Sequence, residues 1–131
     1  MDSVMKKAVK ITDRLNETYI EVKADVFREV CRHLYEDLHA ILRVLFAADE
    51  RQKDGCFRIY AVFTVPGTDR FSIVVLSLPQ EETSFPSITA AVPAAHWYER
   101  EIMDLFGLAP RGHPDTRRLV FHEAFLRPGD F

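Results

Sequence analysis

The segment "CFRIYAVFTVPGTDRFSIVVLSL", residues 56–78, limits the fold more than any other part of the chain. Phe57, Ile59, Ala61, Phe63 and Val65 lie on one side of an extended backbone, with Arg58, Tyr60 and Thr64 on the other. A Pro-Gly turn follows, then a second run rich in β-branched residues. Two such runs across a tight turn predict antiparallel neighbours with one buried face. Upstream, "ILRVLFAA" at 41–48 is a third apolar run, joined to the first by the polar turn "DERQKDG" with its Asp-Gly end. "TYIEVK" at 18–23 alternates through Ile20 and Val22, which predicts a short strand of the same sheet.

Helical spacing accounts for most of the remainder. From Asp25, a good N-cap residue, Phe27, Val30, Cys31, Leu34 and Leu38 recur at helical intervals. Val4, Ala8, Ile11 and Leu15 make a similar stripe near the start, with Ser3 as its cap, and predict an N-terminal helix. A last helix is expected from about Pro93 to Phe106, with Pro at its first position and Gly107 as its left-handed stop. Tyr98, Ile102 and Leu105 share one face of it and read as core, flanked by Trp97 and Phe106. The expected fold is α+β: a mainly antiparallel four-stranded sheet backed by helices, with an extra N-terminal helix and an irregular C-terminal segment. The element order permits a ferredoxin-like arrangement. Residues 1–131 read as one domain, with the N-terminal helix at 1–16, the α+β core at 18–107 and an irregular tail at 108–131 that is ordered by docking on a partner.

Composition excludes several classes. Lys+Arg total 17 against 20 Asp+Glu, a net charge of -3, so no basic field favours nucleic acid. Two cysteines, Cys31 and Cys56, make no C-x-x-C pair, and both read as small buried groups in a reducing compartment. No apolar run is long enough to span a bilayer, and "MDSVMKKAVK" lacks the apolar region of a signal peptide. The expectation is a soluble chain without direct membrane insertion.

Chemistry concentrates in "HWYEREIMDLFGLAPRGHPDTRRL", residues 96–119. Glu101 and Asp104 share a face at i, i+3, and Asp104 sits in the last helical turn, where the macrodipole disfavours an anion. A residue that breaks a local rule answers to a partner charge or a function. Arg100 offers partial compensation, and Arg111, Arg117 and Arg118 follow in the tail. Three readings compete: tail arginines folded back on the acidic face, with Trp97 beneath them; a metal or acid–base site from His96, Glu99, Glu101 and His113; or a protein-binding surface completed by another subunit. The small metal-dependent enzyme built on His96, Glu99 and His113 has His96 and Glu99 on one face, but the chain has no H-E-x-x-H. G-x-S-x-G, the P-loop and G-x-G-x-x-G are also absent from the sequence. His33, His39 and His122 each stand alone and read as solvated or hydrogen-bonded.

This stretch resembles the signature of the 30 kDa subunit family of respiratory complex I. Glu99, Arg100, Glu101, Asp104, Gly107, Gly112, His113, Pro114, Asp115, Arg117 and Arg118 match its pattern as they stand, and Trp97 heads the same run. "RVLFAADERQKDGCFRIYAVF" and "VPAAHWYERE" are more like one branch, the related N-terminal domain of formate hydrogenlyase and membrane-bound nickel–iron hydrogenase large subunits. The resemblance implies a domain with no cofactor and no catalysis of its own. It would dock on the large subunit and neighbouring iron–sulfur subunits, in the cytoplasm at the membrane surface, beside an electron path to quinone or to nickel–iron. Nickel–iron or iron–sulfur centres would then belong to the partners. The family normally continues beyond "FLRPGDF", so a domain of a longer protein and a short natural subunit both stay open.

Overall fold

The computed structural model describes residues 4–113; Ser3, Pro114, Asp115, Arg117, Arg118 and His122 lie outside the described residues. A five-stranded sheet has the order β1-β2-β5-β4-β3. Its strands are β1 (Lys10–Arg14), β2 (Glu17–Val22), β3 (Ile41–Glu50), β4 (Cys56–Thr64) and β5 (Phe71–Pro79). The β3–β4–β5 meander is antiparallel, as the alternation predicts, and β4 buries Phe57, Ile59, Ala61 and Phe63. β2 joins parallel to β5, so the sheet is mixed, and the α+β class holds. The helix between β2 and β3 supplies the crossover that a parallel pairing needs.

That helix, α1 (Ala24–Arg32), starts earlier than Asp25: Lys23 takes the extended cap position and Asp25 falls in the first turn, where the helix dipole favours it. Its last part, His33–Asp37, widens into a π-helical turn. "DERQKDG" contains a short helix, α2 (Arg51–Asp54), stopped by Gly55 at φ 72°. Phe27, Val30, Cys31 and Leu34 pack with Ile20, Val22, Ile59, Phe63, Val74 and Leu76 in one core. Truncating Phe27 or Phe63, neither of which reaches solvent, should cost about 3–5 kcal/mol.

The N-terminal helix is not formed. After a single 3₁₀ turn at Met5–Lys7, residues 10–14 become β1, paired antiparallel with β2 from Lys10↔Glu21 to Arg14↔Glu17. Val9, Ile11 and Thr12 suit an extended chain, and the pairing satisfies backbone groups that so short a helix would leave open. Leu15 turns the chain at φ 54° and is 96% exposed, so the helical stripe has no buried face to serve. β1 is therefore the fifth strand.

The proline-rich connection and the tail also hold regular structure. β6 (Ser84–Pro86) pairs parallel with β7 (Ala109–Arg111) in a separate two-stranded sheet, so the tail is not irregular at its start. α3 (Ala95–Phe106) lies between them in sequence and packs on β3. Gly107 ends it at φ 71°, as expected, donating its N–H to the Met103 carbonyl at 2.8 Å. Pro93 stands one residue before the cap Ala94 rather than at the first helical position.

Candidate docking site

The inward face of α3 is one step out of phase with the sequence expectation. Ala95, Glu99 and Ile102 are its buried residues. Leu105 is 69% exposed and Trp97 66% exposed, so neither belongs to the core. Tyr98 is half-buried, and its hydroxyl donates to the Arg43 carbonyl at 3.0 Å. The phase differs because an inward carboxylate takes the place of an apolar residue.

Glu99 has no exposed surface. Its Oε1 accepts the Ser87 and Thr89 hydroxyls, each at 2.7 Å, and its Oε2 accepts the Ile88 N–H at 2.7 Å. Burial raises its pKa above the ordinary glutamate range; the Ile88 N–H, both hydroxyls and the Arg28 charge pull the other way. The carboxylate is thus a bracket that holds 87–89 against α3. Ser87, Thr89 and Arg28 were invisible to motif reading, although "PSIT" is rich in small hydroxyl donors. Burial also pushes the Cys31 thiol upward, with the Glu99 charge adding to the effect, so Cys31 is a packed thiol rather than a nucleophile.

Arg28 is a second bracket. From α1 its Nε donates to the Ser87 carbonyl at 2.8 Å and its Nη2 to the Arg111 carbonyl at 3.0 Å. The Arg111 carbonyl also accepts the Ser87 N–H at 2.8 Å, which ties the ends of β6 and β7 together. Gly112 follows at φ 82°, where an added Cβ would sit 3.0 Å from Arg28 Nη2. Both the left-handed backbone and the arginine explain a glycine here.

His113 is buried, and its Nε2 lies 3.1 Å from His96 Nδ1, one imidazole donating to the other. The structure thus joins two members of the His96–Glu99–His113 set, while Glu99 and its three donors are sealed against the 87–89 loop. Glu101 is exposed and takes no further part in that set. Among the described residues, no group of three His, Cys, Asp or Glu side chains is placed to hold a metal ion. A surface hollow of about 750 Å³ is lined by Asp49, Glu50, Arg51, Gln52, Lys53 and Gln80, none of them in the motif.

On the outer side of α3, Arg100 stacks over the Trp97 ring at 5.0 Å. Its Nε is shut off from water and finds no acceptor among the described residues. Glu101 and Asp104 are exposed, as their shared face predicts. The corner therefore combines a braced interior with a polar and aromatic exterior.

The family model described as "Respiratory-chain NADH dehydrogenase, 30 Kd subunit" matches residues 20–129. The chain belongs to this family. Among its relatives, hydrogenase-4 component G of Escherichia coli (strain K12) is 43% identical over 102 residues, covering 77% of this chain and 18% of that protein. Formate hydrogenlyase subunit 5 of the same strain is 39% identical over 118 residues, covering 89% of this chain and 20% of that protein. An NADH-quinone oxidoreductase subunit of Burkholderia mallei (strain SAVP1) is 28% identical over 130 residues, 92% of this chain and 65% of that protein. The chain thus spans about a fifth of the length of the first two relatives. The trypsin-resistant fragment (1-134) of Nqo5 superposes with a TM-score of 0.70 at 25% identity, covering 81% of this chain and 88% of that one. Within the family signature, Glu99, Gly107 and Gly112 now have structural explanations.

Proposed function

We propose that this chain is a non-catalytic assembly domain of an energy-converting redox complex of the formate hydrogenlyase, hydrogenase or NADH–quinone oxidoreductase type. One observation carries the reading. Glu99, the buried acid of the signature, has its oxygens filled by Ser87, Ile88 and Thr89 and is spent on shape rather than left open to a substrate. Relatives named for hydrogenase, formate hydrogenlyase and NADH–quinone oxidoreductase support the context. The domain packs on the large subunit and on neighbouring iron–sulfur subunits, with Trp97, Arg100, Glu101 and Asp104 facing outward. Nickel–iron or iron–sulfur centres reside in those partners. Among the described residues no helix is long and apolar enough to cross a membrane, which fits attachment at the cytoplasmic membrane surface through the complex.

The test is isolation of the tagged natural protein from gently solubilised membranes, with its partners identified by mass spectrometry and metals assayed in the eluate. Recovery with a redox large subunit is expected. Nickel with iron would mark the hydrogenase context, and iron without nickel the quinone-reductase context. A chain that isolates alone, carrying its own zinc or manganese, would contradict the proposal.

A further inference from the structure

We infer that the chain straps its own last helix: the segment 114–117, which follows the described residues, seats along one flank of α3, with Asp115 against Arg100 and Arg117 against Asp104. The inference concerns contacts of the chain with itself and stands apart from the assembly reading. Two brackets fix where the strap begins. Gly112 is held at φ 82° against Arg28, and the next residue, His113, is buried with its Nε2 3.1 Å from Nδ1 of His96, in the first turn of α3. Pro114 comes next, and a proline turns the residue before it away from helical backbone toward an extended one.

Spacing and charge set the register together. Positions 96, 100 and 104 form one i, i+4, i+8 ridge of the helix, and each step along it rises about 6 Å. In an extended chain, positions 113, 115 and 117 share one side, and each two-residue step covers about 7 Å. The two ladders stay level for two rungs beyond the histidine pair. Along the helix the order is His96, Arg100, Asp104; along the strap it is His113, Asp115, Arg117. Slipping the strap by one rung sets Asp115 on Asp104 or Arg117 on Arg100, and like charges repel, so this register alone pairs both. Arg117 also answers the local rule that α3 breaks, an aspartate in its last turn. Trp97, Glu101 and Leu105 lie on the neighbouring ridge and stay uncovered. A tethered segment meets the ridge at an effective concentration that a separate chain does not reach, so a few exposed pairs suffice.

The experiment places cysteine pairs in the tagged full-length protein and follows disulfide closure under mild oxidation by non-reducing mass spectrometry. Asp104→Cys/Arg117→Cys should close within one chain about tenfold faster than Asp104→Cys/Asp115→Cys, because the bond needs Cα atoms within about 7 Å. The native Cys31 and Cys56 are free and buried, and the wild type gives the background. Those substitutions remove charges under test, so a second arm keeps the strap intact. Asp104→Asn should speed trypsin cleavage after Arg117 by about threefold, the worth of an exposed ion pair. Glu101→Gln, the same loss of charge on the neighbouring ridge, should leave the rate unchanged. No closure, equal closure of the two pairs, a disulfide between two copies, or cleavage that answers equally to both neutral variants overturns the strap. None of these results bears on whether the protein copurifies with a redox large subunit, so the two readings fail separately.

Discussion

Glu99 and Glu101 belong to the same Glu-Arg-Glu triplet, yet they meet opposite environments. Two residues along a helix rotate the side chain by about 200°. Glu99 enters the protein and finds three donors, whereas Glu101 faces out between an exposed Trp97 and an exposed Leu105. The inner face of α3 closes on hydrogen bonds to Glu99, whereas Trp97, Glu101 and Leu105 on the outer face are exposed. A signature can therefore hold, two letters apart, one residue that shapes the domain and one that stays at its surface.

The comparison sharpens if the inner face is broken first. Glu99→Ala strands the Ile88 N–H and two hydroxyls and opens a cavity. We expect a loss of about 3 kcal/mol, a fall of roughly 10 °C in the calorimetric midpoint. Gly112→Ala adds a Cβ at a left-handed backbone against Arg28. Its expected cost is about 1–2 kcal/mol in urea denaturation. His96→Ala removes the contact to His113 and should cost about 1 kcal/mol by the same measurement. On the outer face, Trp97→Ala should change stability by no more than about 0.5 kcal/mol. A large loss there would erase the contrast between the faces.

A pH series separates the charge of Glu99 from its shape. Its carboxyl titrates above the usual range because it is buried. A carboxyl raised in the folded state stabilises fully below its unfolded pKa, and that contribution is lost as pH climbs through the folded value. Glu99→Gln keeps the shape and cannot ionise, and the hydroxyls of Ser87 and Thr89 can accept from its amide. The variant should therefore gain on the wild type in stability as pH rises above the ordinary glutamate pKa of about 4. Parallel curves would show that burial does not govern this group.

The meander was legible because alternation over β4 and β5 is local and its apolar side is buried as written. The phase of α3 was not, since the donors that allow a carboxylate inside lie ten to twelve residues upstream, at Thr89 and Ser87. Helical periodicity weighs Glu99 as polar and turns the helix to put Leu105 inside. The first residues failed for a related reason. Val4, Ala8, Ile11 and Leu15 keep helical spacing, but β1 exists only through pairing with β2. β6 and β7, at three residues each and containing proline, have no period to read. In the motif, the need for Gly107 to stop the helix was visible, whereas that for Gly112 depended on Arg28, 84 positions away by number (112 − 28).

The most direct test of the account is electron-transfer turnover per assembled complex, measured for Glu99→Gln in the membrane-isolated holo-complex. If Glu99 is a bracket and the domain non-catalytic, assembly and turnover per complex should both match the wild type. Normal assembly with turnover lost would show that the carboxylate takes part in the chemistry, and the account would be wrong.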